Sequence, residues 1–195
     1  MRLATIVEGH GDAEAAPELI RRIAVSISRE VEALRPIRIP RQRLLKAGEL
    51  ERTVEFAARH AGAGGGVLIL LDADDDCPAE LASELLARAR ARRGDREIRA
   101  VLAKTEFEAW FLASATSLRG KRGLRSDLSP PADPESIRDA KGWLSSAMPA
   151  DRSYREVLDQ PAFAATMDLD EARRAPSFDK FWRDVESLLR TQVPT

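Results

Sequence analysis

The sequence predicts an α/β fold, with a mainly parallel central sheet flanked by helices and a helical C-terminal extension. Short apolar runs alternate with segments of helical periodicity before residue 115, which is the pattern of a parallel sheet with crossover helices. The run Val67 to Leu71 is apolar at every position, as expected of a strand buried on both faces. We therefore assign an α/β core to residues 1–115 and a helical extension packed on it to residues 116–195.

Four strands are predicted in the core, at residues 3–7, 36–40, 67–71 and 99–103. Prolines flank the second, which suits the edge of a sheet because proline cannot donate to the ladder. Three helices lie between the strands, one beginning near Asp12, one at residues 49–61 and one beginning at Pro78. The second of these helices is expected to turn four side chains towards the core, those of Leu50, Val54, Phe56 and Ala57. In the extension, helical segments are expected near residues 135–148, 154–160 and 178–189.

Composition excludes several classes of function. The chain has 195 residues with 31 basic and 32 acidic side chains, and its net charge of −1 predicts no overall preference for nucleic acid or membranes. The single cysteine, Cys77, cannot form an intramolecular disulfide and fits a reducing compartment. No apolar stretch approaches the ~20 residues of a membrane span, so we expect a cytoplasmic protein without a membrane partner.

Acidic residues follow the third strand directly, in the run Asp72-Ala73-Asp74-Asp75-Asp76. Two carboxylates about 4 Å apart repel by roughly 4 kcal/mol at an effective dielectric constant near 20. A divalent cation with oxygen ligands offsets such repulsion, and ligands of open α/β sheets bind outside the carboxyl ends of the strands. The alternative is a solvated acidic loop that caps the next helix, a role that we assign to Asp75 and Asp76.

Another carboxylate, Glu8, ends the first strand and is followed by Gly9 and Gly11, which permit a sharp turn. If the first and third strands are neighbours, Glu8, Asp72 and Asp74 converge at one edge of the sheet. We therefore predict that these three residues are catalytic and hold one or two Mg²⁺ or Mn²⁺ ions. Paired metals can activate the attacking water and stabilise the leaving oxygen in phosphodiester cleavage.

These motifs resemble the Toprim domain of topoisomerases, primases and nucleases of the overcoming-lysogenization-defect group, with Glu8-Gly9, Asp72 and Asp74 at the matching positions. The rest of the chain is similar to a bacterial Toprim-like family of unknown function, often encoded beside an AAA-type ATPase. The similarity covers most of the chain and continues through Cys77-Pro78, Glu106-Phe107-Glu108-Ala109-Trp110, Lys141, the stretch around Tyr154 and Gln160, and Ser177-Phe178. The order of these motifs is more specific than any single one.

The resemblance implies a Rossmann-like Toprim fold with a divalent-metal site, but not one activity, because Toprim folds support cleavage, strand passage and polymerisation. Topoisomerases need a catalytic tyrosine on another domain, and this chain has Tyr154 alone, which argues against strand passage. Of the two acids after the fourth strand, Glu106 and Glu108, we favour Glu108 as a further metal ligand because it matches the family's Glu-Ala-Trp. The alternative is an exposed carboxylate in the first turn of a helix.

We therefore expect Mg²⁺-dependent hydrolysis of nucleic-acid phosphodiesters, or a related phosphoryl transfer, by a bacterial anti-phage effector that works with an ATPase. The alternative is a non-catalytic, metal-binding module that docks the ATPase. Contacts to a DNA or RNA substrate are assigned to Lys104, Arg119, Lys121 and Arg122. A basic loop without interleaved aromatic residues is also a common solvated surface, so that interpretation of residues 119–122 stays open, as does a homodimer.

Overall fold

The computed structural model describes residues 1–191, within which the chain forms a parallel sheet of five strands. The strands are β1 (Arg2–Val7), β2 (Glu32–Ala33), β3 (Ile37–Arg38), β4 (Gly66–Asp72) and β5 (Ile98–Ala103). β4 pairs with one side of β1, β2 and β3 both pair with the other side, and β5 extends the sheet beyond β4. This arrangement confirms the predicted α/β class and its parallel sheet. The two-residue strand β2 was not predicted.

Helices connect the strands and form the C-terminal part of the chain. They are α1 (His10–Ser26), α2 (Arg41–Leu44), α3 (Glu49–Ala61), α4 (Pro78–Arg92), α5 (Ala109–Ala113), α6 (Ala140–Ser146), α7 (Glu156–Thr166), α8 (Leu169–Ala172) and α9 (Pro176–Arg190). Short 3₁₀ turns lie at Ala115–Leu118, Lys121–Gly123 and Pro134–Ser136. Among residues 1–191, no helix combines the length and the apolar composition that crossing a membrane requires.

Strand side chains alternate between two apolar layers, as the two-residue period of a strand dictates. From β4, Leu68 and Leu70 enter the layer that α1 and α9 cover, whereas Ile69 and Leu71 enter the layer that α3 and α4 cover. Because both faces are covered, every residue of the predicted apolar run is buried. A ligand can therefore reach the sheet only at the ends of its strands.

Two local predictions on the α3 and α4 side are wrong. Phe56 is 58% exposed, because Val54 and Ala57 define the buried face of α3 and Phe56 lies outside that face. Asp75 and Asp76 do not cap α4, whose N-cap residue is Cys77 and has no side-chain capping bond. Both aspartates instead form ion pairs with arginines from other segments, as described below for Asp76.

The C-terminal helices pack on the sheet through a shared aromatic cluster. Trp110 of α5 is fully buried against Phe178 and Phe181 of α9, with ring centroids 5.1 and 5.2 Å from its own. Its indole Nε1 donates a hydrogen bond of 2.8 Å to Ser177 Oγ. Trp110 is therefore part of the core. α7 packs along α1, which brings the start of α7 to the carboxyl edge of the sheet.

Candidate active site

A cavity of about 430 Å³ opens at the carboxyl ends of β1 and β4. Carboxylates dominate its polar wall, and they are Glu8, Asp12, Asp72, Asp74, Glu108 and Glu156. The cations on the wall are Arg38, Arg41 and Lys141. All four predicted metal ligands, Glu8, Asp72, Asp74 and Glu108, thus line the same space. With all six carboxylates ionised, the formal charge of this wall is −3, which suits a cation more than an anion as the first ligand.

Backbone N–H groups hold the Glu8 and Asp72 carboxylates in place where β1 and β4 end. The backbone N–H of Asp72 donates a hydrogen bond of 2.8 Å to Glu8 Oε1, and that of Phe107 donates one of 2.8 Å to Asp72 Oδ1. Burial, followed by the charges of Asp12 and Asp74, raises the pKa of Glu8. Burial and the neighbouring carboxylates raise the pKa of Asp72 well above its usual range. The predicted convergence of these two acids is present in the structure.

Asp74 lies at the outer side of the cavity. Its Oδ2 accepts a hydrogen bond of 3.0 Å from Arg41 Nη1, and its side chain is 56% exposed. The backbone of Asp74 has φ of +50°, a left-handed conformation that aspartate adopts more readily than most residues other than glycine.

Glu108 is the most buried acid of the cavity, with 1% of its surface exposed. Tyr154 donates its hydroxyl to Glu108 Oε1 at 3.0 Å, whereas Oε2 has no hydrogen-bond partner and lies 3.5 Å from Lys141 Nζ. Burial raises the pKa of Glu108 to about 7, although the Lys141 charge opposes this change. Glu106 does not line the cavity, and its Oε2 accepts from the backbone N–H of Ala140 at the start of α6.

Asp12 is an acid of the cavity that the sequence predicts only as the start of a helix. Its Oδ2 accepts from the Gly9 N–H at 2.9 Å, and its Oδ1 accepts from Gln160 Nε2 at 2.7 Å. Burial raises the pKa of Asp12, and the charge of Glu156 adds to that effect. Its position four residues after Glu8, across a glycine turn, is the sequence signal that could have identified it.

The C-terminal extension supplies the remaining charged groups. Glu156 Oε1, at the start of α7, accepts from the Gly11 N–H at 3.1 Å. Lys141 of α6 lies 3.4 Å from Glu106 and 3.5 Å from Glu108. Burial alone would lower the pKa of Lys141, but the charges of Glu108, Glu106 and the other acids raise it, so Lys141 stays charged. No local pattern in the sequence indicates that these helices reach the cavity.

Comparison with known proteins identifies a family for this chain. A family model described as a domain of unknown function, DUF4276, matches residues 7–186. The chain belongs to the DUF4276 family. The DUF4276 match includes every residue that lines the cavity, from both the sheet and the C-terminal helices. No curated protein and no solved structure matches the chain.

The predicted nucleic-acid contacts of this DUF4276 chain do not line the acidic cavity. Lys104 borders an adjoining cavity that shares Asp74 with the first. Arg119 Nε donates to the Leu128 carbonyl at 2.6 Å, and Lys121 Nζ donates to the Thr166 carbonyl at 2.8 Å. Arg122 donates from Nε and Nη2 to Oδ1 of the fully buried Asp159, at 3.0 and 2.8 Å. These three basic side chains therefore have structural partners within the chain.

The donor set suits a hard divalent cation, because every acid on the wall offers oxygen ligands and Glu108 Oε2 is buried without a hydrogen-bond donor. Within residues 1–191, however, no group of three or more His, Cys, Asp and Glu side chains is arranged to hold a metal ion. The residues that fit a cation are thus present, and binding would require a rearrangement of side chains. Asp74, which Arg41 holds, is the exposed member of the set.

Proposed function

We propose that this DUF4276 chain is a Mg²⁺- or Mn²⁺-dependent enzyme with an acidic site of the Toprim type that hydrolyses nucleic-acid phosphodiesters or performs a related phosphoryl transfer. One observation carries the proposal. Glu8 and Asp72, from the carboxyl ends of neighbouring parallel strands, share a cavity with the buried Glu108, and the pKa of each is raised. Strongly perturbed acids that meet in a cleft are typical of functional sites.

Electrostatics favour a cation in this cavity. Each pair of ionised carboxylates at about 4 Å repels by roughly 4 kcal/mol at an effective dielectric constant near 20, and the attraction of both carboxylates to a divalent ion between them outweighs that repulsion. The ligands would be oxygens of Glu8, Asp72 and Asp74, with Glu108 as a fourth. A bound ion would activate a water molecule and stabilise the leaving oxygen of a phosphodiester.

Other residues of the site have roles that do not require the metal. The two backbone bonds described above orient Glu8 and Asp72. Tyr154 orients Glu108, and Lys141 adds a positive charge beside it that would favour a phosphate. Because Lys141 and Tyr154 come from the extension, the proposal requires residues 116–195 for activity as well as the core.

The resemblance to the Toprim-like family extends the proposal to a bacterial anti-phage effector that acts with an AAA-type ATPase. The chain has no Gly-Lys-Ser/Thr phosphate-binding loop after its glycine-rich segment, so ATP hydrolysis would belong to the partner. The ATPase would then control when the acidic site acts on DNA or RNA.

Turnover on nucleic acid tests the proposal. The purified protein, with and without the ATPase, is incubated with DNA or RNA and Mn²⁺, beside Asp72→Asn and the control Asp127→Asn. Asparagine at position 72 keeps an oxygen acceptor for the Phe107 N–H but loses the charge, whereas Asp127 is a surface acid with 79% of its side chain exposed. We expect Asp72→Asn to lose more than the 10–100-fold typical of outer-shell partners, with Asp127→Asn unchanged. No cleavage under any condition, or equal cleavage by Asp72→Asn, would contradict the proposal.

A non-catalytic module that binds a metal and docks the ATPase is the second candidate. Val157 and Leu158 favour it, since they are 56% and 49% exposed and directly follow Glu156 of the cavity. Adjacent exposed apolar residues beside a charged site suit a partner surface. The same incubation separates the two functions, because the docking module binds Mn²⁺ and the ATPase without turnover.

A further inference from the structure

Arg41 on the short helix α2 binds the acidic loop that follows β4. Its Nη1 donates to Asp74 Oδ2 at 3.0 Å, and its Nη2 donates to Asp76 Oδ2 and, at 3.5 Å, to the Ala73 carbonyl. Arg41 also lines the acidic cavity, beside Glu8 and Asp72. The Arg41 guanidinium is thus hydrogen-bonded to one carboxylate oxygen of Asp74, a predicted metal ligand.

The two partners differ in exposure. The Arg41 side chain is 17% exposed, whereas those of Asp74 and Asp76 are 56% and 58% exposed. The Arg41 side chain is therefore mostly buried, while the Asp74 carboxylate is open to an ion that enters from the solvent. Arg41 Nε is buried without a hydrogen-bond partner, so the guanidinium is not fully satisfied by its present contacts.

A guanidinium and a divalent cation repel each other at the distance of a shared carboxylate, so the metal and Arg41 compete for Asp74. We propose that Arg41 is the resident counter-ion of Asp74, which a divalent metal must displace, and that it thereby sets the metal affinity of the site. The inference rests on the proposed function, because it takes Asp74 as a metal ligand.

Arg38 provides a matched control. It lines the same cavity and carries the same charge, but it forms no ion pair or side-chain hydrogen bond with another residue in the described part of the chain. Replacing Arg38 removes a positive charge from the cavity without breaking an ion pair with a carboxylate. Any general effect of charge on cation affinity therefore appears in Arg38→Ala as well as in Arg41→Ala.

The test is calorimetric titration of the full-length protein and its variants with MnCl₂, without nucleic acid. We expect Arg41→Ala to lower the Kd for Mn²⁺ about fivefold more than Arg38→Ala does, the ratio that a partly exposed ion pair supplies. Arg41→Lys, which keeps the charge but cannot bridge two carboxylates, is expected to fall between the wild type and Arg41→Ala. The direction of the change in Kd separates this proposal from structural damage, because damage to the loop would weaken metal binding instead of strengthening it.

A double-mutant cycle assigns the effect to Asp74. In an Asp74→Asn background, Arg41→Ala should change the Kd no more than Arg38→Ala does, because the contested carboxylate is gone. Unchanged or weaker Mn²⁺ binding by Arg41→Ala overturns the role of Arg41 but leaves the proposed function intact. If neither the wild type nor Arg41→Ala binds Mn²⁺, the proposed function and this inference both fail.

Discussion

The stability of the protein should fall as the pH rises, and Glu108 should account for a measurable part of that fall. Burial raises the pKa of folded Glu108 from 4.5 to about 7. Between these pH values the unfolded chain has released a proton that the folded protein keeps, so the free energy of unfolding decreases with pH. A tenfold change in proton affinity is worth about 1.4 kcal/mol, which gives a decrease of about 3 kcal/mol from this one group.

Glu108→Gln removes this titration with little change in shape. Glutamine can still accept from the Tyr154 hydroxyl, and its neutral amide avoids a buried charge at neutral pH. We expect the variant to match the wild type near pH 4.5 and to be more stable by up to about 3 kcal/mol near pH 8. The figure of about 3 kcal/mol already includes the lost attraction between Lys141 and the carboxylate, because that attraction lowers the pKa of Glu108.

Urea unfolding at several pH values, followed by circular dichroism, measures this difference. Asp127→Asn, at an exposed site, is the control and should reproduce the pH dependence of the wild type. Asp72, Asp12 and Glu8 also have raised pKa values, so the variant should retain part of the dependence. The reasoning would be refuted if Glu108→Gln and the wild type lost the same free energy between pH 4.5 and pH 8.

Two further substitutions test the packing of the site. Tyr154→Phe removes the hydroxyl that donates to Glu108, leaves a buried carboxylate without its donor, and should lower the free energy of unfolding by about 1–3 kcal/mol in urea titrations at pH 8. An unchanged free energy would show that water replaces the hydroxyl. Gly11→Ala would place a Cβ 1.8 Å from Gln160 Oε1 and 2.7 Å from Glu156 Cγ, and should cost about 1–3 kcal/mol by forcing α7 away from α1. A stabilised Gly11→Ala protein, as helix propensity alone would give, would contradict that packing.

Local signals in the sequence were sufficient for the elements that place Glu8 and Asp72. The runs at residues 3–7 and 67–71, which became most of β1 and β4, are visible as strands because burial on both faces leaves Thr5 as their one polar residue. An acid that directly follows such a run must lie at the carboxyl edge of a parallel sheet. The convergence of Glu8 with Asp72 could therefore be predicted without knowing any other contact.

Exposure within helices and the partners of loop acids were harder to predict. Phe56 is apolar and yet exposed, because helix periodicity restricts the buried face to a stripe that Val54 and Ala57 already fill. Asp76 follows the pattern of a capping residue, but Arg41 binds it instead. Arg41 lies more than thirty positions from Asp76 in the sequence, so no local pattern indicates this ion pair. Only the tertiary structure shows that Arg41 binds Asp76 in place of the helix terminus.

By itself, the sequence determined the parallel α/β architecture and the two strand ends that carry Glu8 and Asp72, because hydrophobic periodicity and strand direction are local properties. Only the tertiary structure decided which helices complete the cavity. Gly11 meets Glu156, and Asp12 meets Gln160, across separations of 145 and 148 residues. Such contacts depend on how α7 packs against α1, a property of complementary surfaces that no short stretch of sequence encodes.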